Sequence, residues 1–405
     1  MAANEGEMTG GIGPETTLVR AQDVIVRLTN EDEVGIELDG ERHLAPRVAL
    51  TVLDAFSAPR SVKEVLASLP SSGPEHGAEM STCIEDLADR GILVPPELRG
   101  GEEATRGWVR PHVHLTMLDD RARTKGFRQA LKATVRPEDV VVDIGTGTGI
   151  LATSAAKLGP RRVYAVESSG IADVAARMFA ANGVSDLVTL VRRRSTSATL
   201  PELASVLVTE TIGNDPLDEQ LLEIVADAKL RLLAPGARII PAAIQIWGLV
   251  VDIPLPLLEK HVFTQRKLDG YRDAYELDFS VLADHQLSST EPIMVDVKDV
   301  GAWPTEPPAL LAEIDLVQPF ETWVANRTQI TLTRDIANVG VCLAFRAKLS
   351  EGVILSNLPE DIDETSHWAR ALFPILDHPT ATKGEIVDIE YSYDRGVTMV
   401  RITRP

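Results

Sequence analysis

Three glycines and one glutamate carry the first chemistry the sequence offers. Gly145, Gly147 and Gly149 occupy every second position in Val140-Val-Val-Asp-Ile-Gly-Thr-Gly-Thr-Gly-Ile-Leu151. Without a Cβ, such positions let the chain turn tightly and let a ligand lie against bare backbone. Glu167 follows at the end of Arg162–Val166. An acid in that place can accept hydrogen bonds from both hydroxyls of a ribose. The elements that must position these groups are legible around them. Val140–Val142 is β-branched and predicts a buried strand, Ile150–Leu158 predicts a helix, and Arg162–Val166 predicts a second strand.

The spacing is Gly-x-Gly-x-Gly, which differs from the Gly-x-Gly-x-x-Gly of dinucleotide folds. Strand, glycines, helix, strand and terminal acid together resemble motif I and the following acidic residue of the class I S-adenosylmethionine methyltransferases. That resemblance implies S-adenosyl-L-methionine as cofactor and S-adenosyl-L-homocysteine as product. It implies cofactor contacts from Asp143, Gly145, Thr146, Gly147, Gly149, Glu167 and Ser168.

Composition bounds the rest. At 405 residues with 44% hydrophobic content, the chain is long enough for about two or three domains. No apolar run approaches a membrane span, and the start, MAANEGEMTGG, carries no signal-like segment. Cys83 and Cys342 stand far apart, which fits a reducing cytoplasm and excludes a cysteine-based zinc site. No metal, no membrane and a cytoplasmic location are the expectation. The net charge of −20 disfavours nucleic acid as partner and favours a cationic substrate.

Before the glycine turn, residues 18–96 have a layout of their own. Val24–Leu28 and Val34–Leu38 are strand-like, with Asp39-Gly40 as a hairpin turn. Helical periodicity follows in Pro46–Ala58, in Ser61–Leu69 with Ser61 as N-cap and Glu64 three residues on, and in Ser81–Arg90. Gly91–Val94 returns to strand. Strands followed by three short helices predict a winged helix (α+β). The order resembles the small PqqD-like domains that grip the leaders of ribosomally made peptides, which implies an extended leader bound as an added strand. Dimerisation and DNA binding are the alternatives; acids outnumber Lys and Arg here, which weighs against DNA.

Residues 107–241 predict the α/β unit, with helices Trp108–Leu131, Gly170–Asn182 and Leu217–Leu233, the last ending at Pro235-Gly236. Strand Ala204–Thr209 delivers Glu210 to the carboxyl edge of the sheet, where ligands of open α/β sheets bind. Residues 242–405 change texture. Ile244–Val251, Thr328–Thr333, Val339–Leu349 and a hairpin around Asp394-Arg-Gly396 predict an antiparallel barrel or sandwich.

Over residues 108–405 several segments together resemble the protein arginine methyltransferases, which join a Rossmann-like class I unit to a C-terminal β-barrel. Thr209-Glu210-Thr-Ile-Gly213 through Glu219 is similar to the family's double-glutamate loop. Ser366-His367-Trp368 is similar to its Thr-His-Trp barrel loop. Met117-Leu-Asp-Asp-Arg-Ala-Arg-Thr124 is similar to the helix whose arginine, here Arg123, holds the cofactor carboxylate. The resemblance implies catalytic roles for Glu210, Glu219, His367 and Asp120, and substrate contacts from Trp108, His114, Met117 and Trp368. It also places Ser195 and Thr196 near the adenine amine and Glu210 beside the cofactor. Lys260–Tyr275 is similar to a dimerisation arm, with His261, Val262, Phe263, Tyr271 and Tyr275 as anchors. Three departures stand out: Thr211-Ile-Gly-Asn214 replaces the usual Trp-Met-Gly-Tyr, the Tyr-Phe motif that covers the cofactor is absent, and Ser195 and Thr196 stand where the family has an acidic residue near the adenine amine.

Two glutamates suit an arginine acceptor on physical grounds. A guanidinium stays protonated, with pKa above about 12, and its delocalised charge makes it a poor nucleophile. Two carboxylates gripping its fork localise charge on some nitrogens and leave another free to attack. Together with this chemistry, the two resemblances imply a homodimeric peptide arginine N-methyltransferase acting on a recruited precursor peptide. A peptide carboxylate, histidine or small molecule is the alternative acceptor; a carboxylate would be repelled by Glu210 and Glu219. A non-catalytic winged-helix regulator is the alternative class.

Overall fold

The computed structural model describes residues 13–21, 24–28, 33–38, 41–68, 74–90, 92–94, 96, 111–284, 290–296, 307–362 and 365–405. The chain divides into two compact units, Met1–Arg110 and Pro111–Pro405.

The first unit runs β1 (Thr17–Arg20), β2 (Ile25–Leu28), β3 (Glu33–Leu38), β4 (Glu41–Pro46), α1 (Ala49–Ala55), β5 (Arg60–Ser61), α2 (Val62–Ser68), α3 (Pro74–Asp89) and β6 (Leu93–Val94). Its two small sheets have the orders β5-β1-β6 and β2-β3-β4. Leu38 pairs with Glu41, so β3 and β4 form a hairpin around Asp39-Gly40, two residues that lie outside the described ones. The expected cap of α2 is present. The Ser61 hydroxyl accepts from Glu64 N at 3.2 Å while the Glu64 carboxylate accepts from Ser61 N at 3.0 Å. Helix α3 starts at Pro74, seven residues before the Ser81 start expected from sequence, since proline fits the first turn of a helix. Val34, Ile36, Val52, Phe56, Ile84 and Leu87 close a core of their own.

The second unit opens with α4 (Pro111–Asp119) and α5 (Arg121–Thr134). Then follow β7 (Val140–Ile144), α6 (Ile150–Ala156), β8 (Arg162–Glu167), α7 (Ala172–Ala181), β9 (Val188–Arg192), β10 (Ala204–Thr209), α8 (Leu221–Arg231) and β11 (Leu233–Ile240). The sheet is parallel throughout, in the order β11-β10-β7-β8-β9. The chain builds outward from β7 to β9, then crosses back to lay β10 on the other side of β7. That reversal opens a crevice at the carboxyl ends of β7 and β10. The helix expected over Leu217–Leu233 is shorter at both ends. Gln220 turns at φ 62 and precedes α8. Pro235-Gly236 falls inside β11, where the pairing with β10 slips between Ala204 and Val206 and a proline costs no ladder bond.

From Ala243 the unit is antiparallel. It contains β12 (Ala243–Asp252), α9 (Leu255–His261), α10 (Gln265–Tyr275), β13 (Ile293–Val295), β14 (Ala309–Asp315) and β15 (Trp323–Thr331). It continues with β16 (Val339–Ser350), β17 (Val353–Ser356), β18 (Arg370–Pro374), β19 (Ile386–Asp394) and β20 (Val397–Thr403). One sheet runs β13-β18-β16-β12-β14 with β17 on β16, the other β15-β19-β20, giving a barrel-like domain. Arg395 (φ 48) and Gly396 (φ 80) make the expected tight turn of the last hairpin, whose primed geometry needs two positive φ angles. Val142 and Leu207 of the parallel sheet share one continuous core with Ile246 and Phe345 of the barrel. Each such buried side chain contributes about 1.5–3 kcal/mol of transfer energy.

Helices α9 and α10 cover the stretch Lys260–Tyr275. One expected anchor is turned inward: Val262 is 6% exposed and, with Leu258, joins the barrel's satellite core. The outward apolar groups are Tyr275, Leu277 and Val281, at 62%, 61% and 73% exposure. Tyr271, Tyr275 and Phe279 pack their rings together, with centroids 5.5–6.3 Å apart.

Candidate active site

The glycine turn sits in the crevice at the end of β7. Gly145, Gly147 and Gly149 all have positive φ (73°, 53° and 85°). A Cβ on Gly149 would lie 2.6 Å from Phe179 Cε1, so this glycine is needed for helix packing. At Gly147 the nearest atom would be His114 Cε1 at 3.8 Å, so this glycine is bare toward the crevice. Glu167, at the tip of β8, accepts from Gly147 N at 2.9 Å and from Ser169 N at 2.8 Å. Its oxygens keep lone pairs for a ribose. Ser168 beside it is half-buried.

Asp143 and Thr146 stand apart from the contacts expected of them. Asp143 has no exposed surface and accepts from the Thr146 hydroxyl at 2.5 Å. Burial pushes its carboxyl up to about 7, against the Thr146 and Ala152 hydrogen bonds. The pair lies beneath the glycine turn and holds it, so neither side chain lines the crevice. Ser195 and Thr196 lie in a single 3-10 turn after β9, half-buried and exposed respectively. Arg231 fixes that turn by donating to Ser195 O at 2.7 Å and Ala198 O at 2.8 Å.

Across the crevice, α5 and β10 bring two expected site residues together. Arg123 Nε donates to Glu210 Oε2 at 2.6 Å, and Arg123 Nη2 donates to the same oxygen. Both side chains are nearly buried, at 6% and 5% exposure. Arg123 Nη1 also donates to Met117 O at 3.4 Å. Glu219 completes the group. Burial first, then the charges of Glu210 and Asp218, push its carboxyl well above the usual range, with Arg123 pulling the other way. By surface area Glu219 is only half-buried. Its neighbours nevertheless crowd its carboxyl, and the like charge of Glu210 suffices for the direction of the shift.

His367 and Asp120 also meet. Asp120 caps α5 by accepting from Arg123 N at 2.9 Å through Oδ1. Its Oδ2 accepts from His367 N at 3.2 Å and faces His367 Nδ1 at 3.0 Å. Burial opposes the charge on Asp120, but the His367 and Arg123 hydrogen bonds outweigh it and hold the carboxyl below its usual range. An Nδ1–H turned to the Asp120 carboxylate leaves Nε2 as the ring nitrogen facing away from it.

Of the expected substrate contacts, Trp108 lies outside the described residues. Met117 is half-buried beside Arg123. His114 is buried and faces Gly147, on the glycine-turn side of the crevice rather than the glutamate side. Trp368 does not present its ring to a ligand. It is 6% exposed, packs edge-on against Phe345 with centroids 5.0 Å apart, and its indole N–H donates to Ile212 O at 2.8 Å. Its work is to strap the loop between the glutamates to the barrel. Gly213 in that loop has no room for a Cβ, which would lie 2.8 Å from Asp215 O. Among the described residues no cluster of His, Cys, Asp and Glu could hold a metal ion.

Comparison with known proteins agrees with this architecture. The family described as ribosomal protein L11 methyltransferase (PrmA) matches residues 121–244, the α/β part that carries the crevice. An arginine N(omega)-methyltransferase of Streptomyces achromogenes subsp. streptozoticus is 29% identical over 318 residues, 76% of this chain and 83% of its own. A probable protein arginine N-methyltransferase 6 of Arabidopsis thaliana is 33% identical over 198 residues, 47% of this chain and 44% of its own. Among solved structures, the Trypanosoma brucei PRMT1 enzyme-prozyme complex with AdoHcy superposes with a TM-score of 0.59 at 21% identity, covering 70% of this chain and 88% of that one. Arabidopsis thaliana protein arginine methyltransferase 10 gives 0.56 at 18% identity, covering 73% and 99%. The likeness in fold covers the Rossmann-like sheet and the barrel-like domain together.

Proposed function

We propose that this chain, an S-adenosylmethionine-dependent methyltransferase with the fold of the arginine methyltransferases, methylates arginine in a peptide. The observation that carries the reading is the meeting of Glu210, Glu219 and Arg123 opposite the bare glycine turn, with His367 and Asp120 at the same crevice. Bound S-adenosylmethionine supplies a methyl group on a positively charged sulfur, and transfer from it needs no metal. In this reading Gly147 and Glu167 meet the nucleoside, and Arg123, which pairs with Glu210, turns part of its guanidinium to the cofactor carboxylate. Glu210 and Glu219 grip the acceptor guanidinium and aim one nitrogen at the methyl carbon. The cofactor, held by the glycine turn, Glu167 and Arg123, would supply its methyl group to that nitrogen and leave as neutral S-adenosyl-L-homocysteine. His367 Nε2 takes the proton the nitrogen sheds, and Asp120 stabilises the imidazolium. A carboxylate acceptor fits poorly, because Glu219 already stands against like charge.

The first unit serves, in our reading, as a PqqD-like winged helix that recruits a precursor peptide by its leader. Strand β2 is an edge of its sheet. Val26 and Leu28 on it pair with buried Ile36 and Val34, so they share the core face, yet they are 37% and 69% exposed. An open edge with apolar groups beside it suits an added strand. Tethering raises the local concentration of the reacting residue. Incubation of precursor peptide with enzyme and cofactor should therefore place methyl mass on arginine. Deleting residues 1–96 should raise KM for that precursor about 100-fold, with kcat much less changed. A base-labile methyl ester would refute the acceptor. Equal KM for a folded truncated enzyme would reassign the unit to assembly or regulation.

The chain should also self-associate through the arm, where Tyr275, Leu277 and Val281 leave apolar surface uncovered. Light scattering at micromolar concentration should give about twice 43.9 kDa. Monomer mass under those conditions would contradict it.

A further inference from the structure

The loop between Glu210 and Glu219 is held from the far end of the chain, through polar groups that stability alone does not require. Asp215, near the middle of the loop, is 4% exposed; the turn of hairpin β19–β20 reaches this loop, where a Cβ on Gly396 would lie 3.7 Å from Asp218 O, and the hairpin carries buried Tyr391 (1%) and Thr398 (3%), which act on the Asp215 carboxyl. Burial pushes the Asp215 carboxyl up to about 6, with the Thr398 hydroxyl opposing. Burial, and then the Asp215 charge, push the Tyr391 phenol well above its usual value. The three groups crowd together, yet Asp215 Oδ1, Tyr391 Oη and Thr398 Oγ1 find no partner of full hydrogen-bond geometry. A buried polar group without a full partner carries a desolvation penalty, so packing alone does not account for a polar trio here. What the polar trio gives instead is one defined position.

That position is passed along the loop. Asp218 N donates to Asp215 O at 3.0 Å, and Gln220 N donates to Leu217 O at 2.9 Å. Two residues on from Tyr391 and on the same face of β19, Tyr393 donates to the Glu223 carboxylate at 2.9–3.0 Å, tying down the first turn of α8. Glu219 lies between these anchors. We propose that Asp215, seated on Tyr391 and Thr398, is a positioning residue that fixes where the Glu219 carboxylate stands toward the acceptor; this rests on reading Glu219 as half of the clamp.

The test is a double-mutant cycle on the full-length enzyme, with the best arginine-containing peptide from an array as acceptor. Asp215→Val should lower kcat about tenfold or more while S-adenosylhomocysteine affinity stays within about twofold. Asp215→Asn, which keeps an acceptor for both hydroxyls, should stay within about threefold of wild type. Tyr391→Phe removes one oxygen and should cost about threefold in kcat, which keeps the proposal testable if the valine variant fails to fold. Asp215→Val combined with Glu219→Gln should be no slower than Glu219→Gln alone, because Asp215 acts through Glu219. Multiplying effects, or wild-type kcat in Asp215→Val, would overturn the proposal. Full activity in Glu219→Gln alone would instead show that the clamp reading has failed, and the proposal with it.

Discussion

Glu219→Gln is expected to cut turnover about 100-fold or more and to leave S-adenosylhomocysteine binding within about twofold. The magnitude is that of one preorganised charged group removed from a transition state. The rate in wild type should rise with pH, since only the ionised Glu219 can hold a guanidinium and its carboxyl is pushed well above the usual range. The glutamine variant should lose the part of that rise that belongs to Glu219 and keep any part due to the general base. Initial-rate kinetics across pH, with calorimetry for the cofactor product, read both. Glu210→Gln should be as slow but for a less clean reason. It strips the buried Arg123 guanidinium of its carboxylate, which typically costs about 3–5 kcal/mol. A lowered melting temperature should therefore accompany Glu210→Gln and spare Glu219→Gln. Turnover of Glu219→Gln within a few-fold of wild type would end the case for a two-carboxylate clamp.

Gly147→Val is expected to abolish or weaken cofactor binding at least tenfold in a protein that still folds. The reason lies in what surrounds each glycine. At Gly149 a side chain would strike Phe179 and disturb α7, so loss of binding there would mean little. At Gly147 an added Cβ meets nothing closer than 3.8 Å, and the cost to the fold is only that of φ at 53°. Bulk at this place obstructs a ligand and little else. Glu167→Ala should lose a comparable amount, about one charge-assisted hydrogen bond. It also strips the Gly147 and Ser169 amides of their acceptor, so calorimetry on Gly147→Val is the more direct reading. Undiminished binding in both variants would place the cofactor elsewhere.

Much of the site was legible because its determinants are local. Three glycines at alternate positions can turn only in a few ways, and all three do have positive φ. Ser61 and Glu64 lie three apart and cap each other; Arg395-Gly396 takes the turn its residues favour. The illegible part is where burial by distant chain decides. Trp368 sits in a motif that suggests ligand contact, but Phe345 and the Ile212 carbonyl claim both its ring and its N–H. Asp143 stands in the glycine motif, yet the sheet leaves it no surface. Nothing near Asp215 in sequence announces Tyr391 and Thr398, which arrive from more than 170 residues away. The early end of the expected Leu217–Leu233 helix likewise follows from β11 pairing with β10, a choice no helical periodicity contains.

The shared core of the parallel sheet and the barrel sets what recombination can do with this chain. The first unit closes a core of its own around Phe56 and Ile84, so it can be exchanged without dividing another interior. The barrel cannot be traded in the same way. Cutting after residue 241 would divide one interior and expose Ile246 and Phe345 on one side and Leu207 on the other. It would also remove the indole that straps the glutamate loop. The front of the chain is therefore free to be swapped, while the sheet and barrel must be inherited whole.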